Sequence, residues 1–158
     1  MILILFIVFI VAYAVNYWEE STNKNPDKIS FKESMDLTEL PVITFYNGNT
    51  KLNFLLDTGS NASHINKSIL NGLSYSTNDK KMDVVGMEGN TVSNGVCNMY
   101  ISYKDKDFIE DFIISDLDSA FGIIKKEDGV QLHGILGSKF FEKYKYVLDF
   151  GELVAYTK

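Results

Sequence analysis

Closely spaced turn signals constrain this chain more than any other feature of its sequence. Asn47–Asn49, Lys104–Asp107 and Gly151 each separate two short runs that are rich in β-branched and aromatic residues, as in hairpins. The predicted strands are Val42–Tyr46, Thr50–Leu56, Met82–Val85, Thr91–Val96, Asn98–Tyr103, Phe108–Ile114, Gln131–Leu136, Tyr146–Phe150 and Glu152–Tyr156. Asn66–Leu73 and Ser138–Tyr144 instead predict short helices, the second with Ser138 as its cap. The sequence therefore predicts a small, mainly β barrel or sandwich with one or two short helices.

Composition excludes several classes of protein. The 158 residues favour one domain, which at this size buries enough apolar surface to need no disulfides. The lone Cys97, interpreted as a buried small hydrophobe, excludes a disulfide framework and a cysteine-rich zinc site. A formal net charge of -6 and the absence of Arg among the 15 basic residues argue against a nucleic-acid surface. His64 and His133 are isolated and do not make a metal site, so no metal and no other cofactor is predicted.

Uncharged residues fill the start of the chain from Met1 to Trp18. An apolar run of about 18 to 20 residues is long enough to cross a bilayer as a helix, so Met1–Trp18 predicts a single-pass N-terminal membrane anchor. The alternative is a signal segment cleaved after Ala12–Ala14, which would leave a secreted protein. Residues 19–27 are polar and predict a tether, and residues 28–158 form the predicted folded domain.

An apolar strand ends abruptly at Asp57, Thr58 and Gly59. A carboxylate at the end of a buried strand is costly unless it is hydrogen-bonded or used chemically. The Asp-Thr-Gly motif alone is equally compatible with two interpretations. In one, Asp57 only closes the strand through an Asx-type turn, and in the other it belongs to a catalytic loop.

A second apolar segment, Gly134–Phe141, begins 77 residues after that Asp. Asp57–Ser60 and Ile135-Leu136-Gly137 together resemble the two signatures of the retropepsin-like, or pepsin-like, aspartic proteases. Between them, the glycine-containing hairpin tip Gly86–Asn90 lies where this family carries its flap. The resemblance covers about Val42–Tyr156 and implies a small closed retropepsin-like β-barrel, preceded here by the N-terminal hydrophobic helix.

The resemblance also implies an aspartic endopeptidase, in which two Asp carboxylates that share one proton activate a water molecule. The chain carries one Asp-Thr-Gly motif, so the family pattern implies a two-fold homodimer in which each copy contributes Asp57. Thr58 would hydrogen-bond across the two-fold axis. Gly59 would permit close approach and bind substrate backbone. Ser60 would hydrogen-bond the outer oxygen of the Asp57 carboxylate.

The implied flap consists of Gly86, Met87, Glu88 and Gly89, which would close over an extended polypeptide substrate. The chain departs from the viral members at Ser138-Lys139, where their second signature continues with Arg, and this leaves the viral mode of dimer bracing open. A membrane anchor would raise the effective concentration of partner copies in the bilayer plane.

Other interpretations remain open from sequence alone. A non-catalytic barrel, tethered to the membrane, that binds peptides or assembles other proteins would keep the same fold, and an enzyme that cuts only its own tether is a third option. The acidic residues Glu110, Asp111, Asp116 and Asp118 lack the spacing of a calcium loop and predict solvated strand ends. Lys125–Asp128 predicts a surface loop of mixed charge.

Overall fold

The computed structural model of the chain describes residues 28–85 and 91–157, without the side chains of 78–80, 84, 85, 91 and 92. The predicted membrane segment Met1–Trp18, the tether of residues 19–27 and the predicted flap tip Gly86–Gly89 lie outside the described residues. Among the helices that are described, none combines the length and the apolar character that a membrane span requires.

Ten strands, three α-helices and one 3₁₀ helix make up the described part of the chain. The strands are β1 (Ile29–Ser30), β2 (Val42–Asn47), β3 (Thr50–Leu56), β4 (Ser63–Asn66), β5 (Tyr75–Val85), β6 (Thr91–Tyr103), β7 (Lys106–Ser115), β8 (Gly134–Leu136), β9 (Tyr146–Asp149) and β10 (Val154–Thr157). The α-helices are α1 (Lys32–Thr38), α2 (Asp118–Asp128) and α3 (Ser138–Lys143), and the 3₁₀ helix is Lys67–Gly72.

Six strands close into a barrel in the order β2-β3-β8-β4-β7-β6, and a pairing of Tyr46 with Ser102 joins β6 back to β2. β5 extends the same sheet beyond β6. The β3–β8 and β4–β7 pairings are parallel, whereas β4–β8 and the three hairpin pairings are antiparallel. The prediction of a small, closed, mainly β barrel with short helices is therefore confirmed.

A separate three-stranded sheet in the order β1-β10-β9 joins the two ends of the described chain. Ile29 and Ser30 of β1 pair with Ala155 and Val154 of β10, and β10 returns antiparallel along β9. The predicted closing strands on either side of Gly151 are thus present. They form their own sheet beside the barrel and are not barrel strands.

Aromatic side chains fill the barrel. Phe45 is 1% exposed and its ring contacts those of Phe54, Phe108 and Phe140 at centroid separations of 5.6 to 6.2 Å. Phe54 in turn stacks on Phe112 at 5.3 Å. Each fully buried Phe contributes about 1.5–3 kcal/mol relative to an exposed one, and edge-to-face ring pairs add about 0.5–1.5 kcal/mol. This core holds β3 rigidly up to the residue at which the Asp-Thr-Gly motif begins.

Two α-helices were not predicted from the sequence. α1 packs beside β2, where the Ser34 hydroxyl donates to the Val42 carbonyl at 3.0 Å. α2 occupies Asp118–Asp128, so the interpretation of Lys125–Asp128 as a loop is wrong. The internal Gly122 and the charged end obscured this helix. Leu117, Phe121 and Ile124 follow helical spacing and form a second, smaller apolar cluster.

Three further predictions need correction. The strands predicted at Thr91–Val96 and Asn98–Tyr103 are one continuous strand, β6. Ser138 does not cap its helix, because its hydroxyl donates instead to the Ser60 carbonyl at 3.1 Å. Glu110 does not lie at a solvated strand end, since it is 5% exposed and occupies the same inward register as the neighbouring Phe108 and Phe112. The prediction that Cys97 is buried is confirmed.

Candidate active site

Asp57 follows the last residue of β3 and is held by the neighbouring strand. Its backbone N–H donates to the Leu136 carbonyl of β8 at 3.0 Å, which continues the parallel β3–β8 pairing one residue past the strand. Immediately before it, the Leu56 N–H donates to the Pro41 carbonyl at 2.9 Å. The backbone that carries the Asp57 side chain is therefore fixed on both edges.

The Asp57 side chain closes a tight turn over Thr58 and Gly59. Its Oδ1 atom accepts the Gly59 N–H at 2.8 Å, and its carbonyl accepts the Ser60 N–H at 3.2 Å. A Cβ atom on Gly59 would lie 3.1 Å from the same Oδ1, so a larger residue would push the carboxylate aside by a few tenths of an ångström. The Asx-type turn considered from sequence is present. It engages one carboxylate oxygen of a half-buried Asp, a geometry that is also compatible with a catalytic loop.

Thr58 and Ser60 differ from each other in their surroundings. Thr58 is exposed, and the partner predicted for it lies in a second copy of the chain, so that role stays a prediction. Within the single chain, the predicted hydrogen bond from Ser60 to the Asp57 carboxylate is wrong. The Ser60 hydroxyl has one proton, and it donates this proton to the Ala62 carbonyl at 2.7 Å.

The Ile135-Leu136-Gly137 segment lies against the Asp57 turn at closer range than a side chain would allow. A Cβ atom on Gly137 would come within 2.4 Å of the Ala62 carbonyl oxygen, and one on Gly134 within 2.4 Å of the His64 carbonyl oxygen. Next to Gly137, the Ser138 N–H donates to the Ser60 carbonyl at 2.8 Å. The structure therefore brings the two sequence motifs together. Gly134 and Gly137 are required because a side chain at either position would clash with backbone, and not because of their own backbone conformation.

A polar network behind the turn was not identified from the sequence. The Ser63 hydroxyl donates to Glu110 Oε1 at 2.9 Å and accepts the Gly137 N–H at 3.3 Å. The other oxygen of Glu110, Oε2, accepts from Lys143 Nζ at 3.1 Å. Burial raises the pKa of Glu110, although the hydrogen bonds from Ser63 and Lys143 act in the opposite direction. The alternation Phe108, Glu110, Phe112 was the sequence signal that Glu110 faces inward.

His64 lies on β4, which pairs with β8, and His133 immediately precedes β8. His64 Nδ1 is 2.9 Å from Ser115 Oγ; burial lowers its pKa, and the negative charge of Asp57 partly offsets that shift. His133 Nδ1 accepts the Asn53 N–H at 2.9 Å, and burial lowers its pKa. The His133 bond requires the neutral ring, with its proton on Nε2. In residues 28–85 and 91–157, no group of three or more potential ligand residues could hold a metal ion.

A cavity of about 510 Å³ lies between α1 and β2, away from the Asp57 turn. Its walls include Phe31, Leu37, Val42 and Tyr103. None of the residues predicted to act in catalysis lines it, so this cavity is not the candidate site. The predicted flap residues Gly86, Met87, Glu88 and Gly89 fall in the part of the chain that is not described.

Comparison with known proteins finds matches among solved structures and not among family models or curated proteins. No protein family model and no curated protein matches the sequence. Among solved structures, the chain is similar to that of EIAV protease complexed with the inhibitor HBY-793, with 21% sequence identity and a TM-score of 0.49. The match covers 68% of this chain and 90% of that one. A function for this chain therefore has to rest on its own residues.

Proposed function

We propose that this chain is the subunit of a homodimeric, retropepsin-like aspartic endopeptidase that hydrolyses peptide bonds in extended polypeptides. The observation that carries the proposal is the position of Asp57. Its backbone is anchored to β8 by the bond to Leu136, and its side chain is half-buried at the rim of a closed barrel with one oxygen held by Gly59. A carboxylate placed this firmly at a barrel rim suits catalysis better than a purely structural turn.

A second carboxylate is required for this chemistry. Two acids that lie close together cannot both ionise, so one remains protonated and serves as the acid while the other serves as the base. One copy of the chain has one Asp-Thr-Gly motif. A two-fold axis beside Asp57 supplies the same residue twice. In the proposed dimer, Thr58, which is exposed in the single chain, braces the opposite loop across that axis.

The reaction then follows from the pair. The ionised carboxylate takes a proton from a water molecule, whose oxygen attacks the scissile carbonyl carbon. The protonated carboxylate donates its proton to the carbonyl oxygen, and collapse of the tetrahedral intermediate breaks the C–N bond as the amine takes up a proton. Gly59 presents backbone to the substrate, and Gly86, Met87, Glu88 and Gly89 form the flap that closes over it. Ile135, Leu136 and Gly137 support the loop from behind.

The proposal includes a location. Met1–Trp18 has the length and apolar character for a single-pass membrane anchor, with residues 19–27 as the tether to the domain of residues 28–158. Two anchored copies meet more readily in a plane than in solution, which favours the dimer. The alternative is secretion after cleavage of the same segment.

A matched pair of substitutions tests the catalytic role. Asp57→Asn keeps the acceptor for the Gly59 N–H but removes the charge, and we expect it to lower cleavage of a diverse peptide library by roughly 10⁴-fold or more. Asp149→Asn is the control, because Asp149 Oδ1 also accepts a glycine N–H, from Gly151 at 2.9 Å, in the turn between β9 and β10 outside the barrel sheet. Equal activity of the Asp57→Asn variant and the wild type would refute the proposal.

Mixing the full wild-type chain with the Asp57→Asn chain, purified in detergent, tests the dimer. If the dyad forms across two copies, activity falls as the square of the wild-type fraction, because every mixed dimer has lost one carboxylate. A linear decrease would mean that one copy suffices. If dimers form but cleave nothing across acidic and neutral pH, the non-catalytic peptide-binding or assembly barrel becomes the better interpretation.

A further inference from the structure

Glu110 is a buried carboxylate that the proposed reaction does not use. It is 5% exposed, whereas the side chain of its partner Lys143 is 50% exposed. Lys143 also donates to the Ile109 carbonyl, and the Tyr144 hydroxyl both accepts the Ile109 N–H at 3.0 Å and donates to its carbonyl at 2.6 Å. The end of α3 is thereby fastened to an edge of β7, directly beside Glu110.

A short chain of hydrogen bonds leads from Glu110 to Asp57. Glu110 accepts from the Ser63 hydroxyl, and the same hydroxyl accepts the Gly137 N–H. Because the Ser63 proton is committed to Glu110, its oxygen lone pairs remain directed at Gly137. The residue before Gly137 is Leu136, whose carbonyl accepts the Asp57 N–H. Glu110 therefore fixes the orientation of the Ser63 hydroxyl, which accepts from the same peptide group whose carbonyl holds Asp57.

Stability alone is a poor reason for this arrangement. Burying a carboxylate costs more than its partner commonly returns, and apolar side chains of similar volume usually stabilise a core at least as well. The inward neighbours Phe108 and Phe112 show that this face of β7 accepts apolar residues. What the carboxylate adds is a fixed direction for the Ser63 hydroxyl, at the point where Gly137 lies too close to Ala62 for any side chain.

We propose that Glu110, held in place by Lys143, is a positioning residue that fixes the Asp57 carboxylate through Ser63 and Gly137. This inference rests on the proposed function of Asp57, but the order it predicts in the turn exists with or without catalysis. It acts through the backbone of β8 and touches neither substrate nor the reacting water.

The test compares Glu110→Gln with Glu142→Gln in the full chain. Glu142 lies exposed on α3, next to Lys143, so the control makes the same chemical change beside the same lysine. The amide in Glu110→Gln has one acceptor oxygen where the carboxylate serves both Ser63 and Lys143. When that oxygen faces Lys143, the amide N–H faces Ser63 and donates to the oxygen that otherwise accepts the Gly137 N–H. The half-exposed Lys143 can turn to solvent, so we expect the variant to fold. We expect kcat to fall by roughly 10- to 100-fold with KM within about two-fold, as for a slightly misplaced catalytic group. Glu142→Gln should change neither.

Amide hydrogen exchange provides a readout that needs no activity. In Glu110→Gln, the N–H groups of Asp57, Gly59 and Gly137 should exchange faster relative to those of Gly151 and Glu152 in the β9–β10 turn, which belongs to a separate sheet. Ser63→Ala should loosen the same amides, and the double variant should add little, because both residues act through one path. Unchanged exchange at Asp57 and Gly59 would overturn the inference, as would uniformly faster exchange that reflects a loss of global stability alone.

The two proposals fail separately. If the wild-type chain cleaves no peptide, the proposed function fails, and the exchange comparison still decides whether Glu110 orders the turn. If the wild type is active and Glu110→Gln retains full kcat, the positioning role fails while the role of Asp57 stands.

Discussion

The chain contains two Asp-x-Gly turns that share one hydrogen bond and differ in their surroundings. In each, the Asp Oδ1 accepts the glycine N–H, at 2.8 Å for Gly59 and 2.9 Å for Gly151. A Cβ atom on either glycine would meet that oxygen, at 3.1 and 3.2 Å respectively. The next N–H differs: that of Ser60 donates to the Asp57 carbonyl at 3.2 Å, whereas that of Glu152 donates to Asp149 Oδ1 at 3.0 Å. The two turns therefore share the Asp–Gly bond and differ in the hydrogen bond that follows it.

Their neighbours separate them. The Asp57 turn is held from behind by β8 and the start of α3, through Leu136, Gly137 and Ser138. The Asp149 turn joins β9 to β10, and its central residue Phe150 is 54% exposed, with one ring contact to Phe31 at 5.5 Å. The comparison teaches that a strand-end Asp turn becomes a candidate site through the elements that clamp it, and not through its local shape.

The largest predicted effect on stability comes from breaking that clamp. Gly137→Ala places a Cβ atom 2.4 Å from the Ala62 carbonyl oxygen, where only backbone can move to relieve the clash. We expect the free energy of unfolding, measured with guanidinium chloride, to fall by about 3 kcal/mol or more. A loss below about 1 kcal/mol would show that the Asp57 turn is not held as tightly as the contact implies.

Gly122→Ala is the matched control for that substitution. A Cβ atom at Gly122, in the exposed part of α2, would meet no atom within 4 Å. Because Ala is a better helix former than Gly, we expect this variant to gain about 0.5–1 kcal/mol. A loss of stability here would indicate that Gly→Ala changes are harmful in this chain for reasons other than contact.

A further prediction concerns the pH dependence of the unfolding free energy. The bond from Asn53 to His133 Nδ1 needs a neutral ring, and burial lowers the pKa of His133 in the folded state. A group with a lowered folded pKa stabilises fully above its unfolded pKa of 6.5, and this contribution is lost as pH falls through 6.5 towards the folded pKa. His64, whose pKa burial also lowers, acts in the same direction. The unfolding free energy should therefore decrease as the pH is lowered from about 8 to about 5.5.

His133→Asn should reduce this pH dependence, because the Asn side-chain oxygen accepts the same N–H without titrating. The wild type loses this bond, worth about 1 kcal/mol, when the ring is protonated. The stability difference between the two proteins should therefore shift in favour of the variant as the pH falls. If the unfolding free energy depends on pH in the same way in both proteins, the His133 bond does not hold the start of β8. The Asp149 turn, which has no histidine partner in the described structure, should be insensitive to the substitution.

The smallest predicted effect on stability comes from exchanging the turn glycines themselves. Gly59→Ala and Gly151→Ala each crowd an Asp Oδ1 that can shift by a few tenths of an ångström. We expect each variant to lose about 0.5–1 kcal/mol of unfolding free energy. Cleavage should be lost only in Gly59→Ala, because the carboxylate displaced there is the one proposed to act in catalysis. Similar activities in the two variants would contradict the proposal that only the Asp57 turn acts in catalysis.

Much of this fold could be predicted from the sequence because the determining signals are local. The turn at Asn47–Asn49 and the alternation of Thr50–Leu56 defined the first hairpin, and it occurs where expected. The aromatic core follows from the same alternation. α2 was missed because Gly122 and the charges near its end weakened a helical spacing that packing against the second apolar cluster reinforces.

The sequence by itself determined which motifs and strands the chain contains. These are Asp57 at the end of an apolar strand, the later Ile135-Leu136-Gly137 segment, and short strands that can close into a small barrel. The tertiary structure decided which of the two Asp-x-Gly turns is held by a neighbouring strand, where the Ser60 hydroxyl points, and that Glu110 is buried. These outcomes depend on contacts between residues far apart along the chain. Local sequence carries the conformation of a turn, but not the identity of the strand that will lie against it.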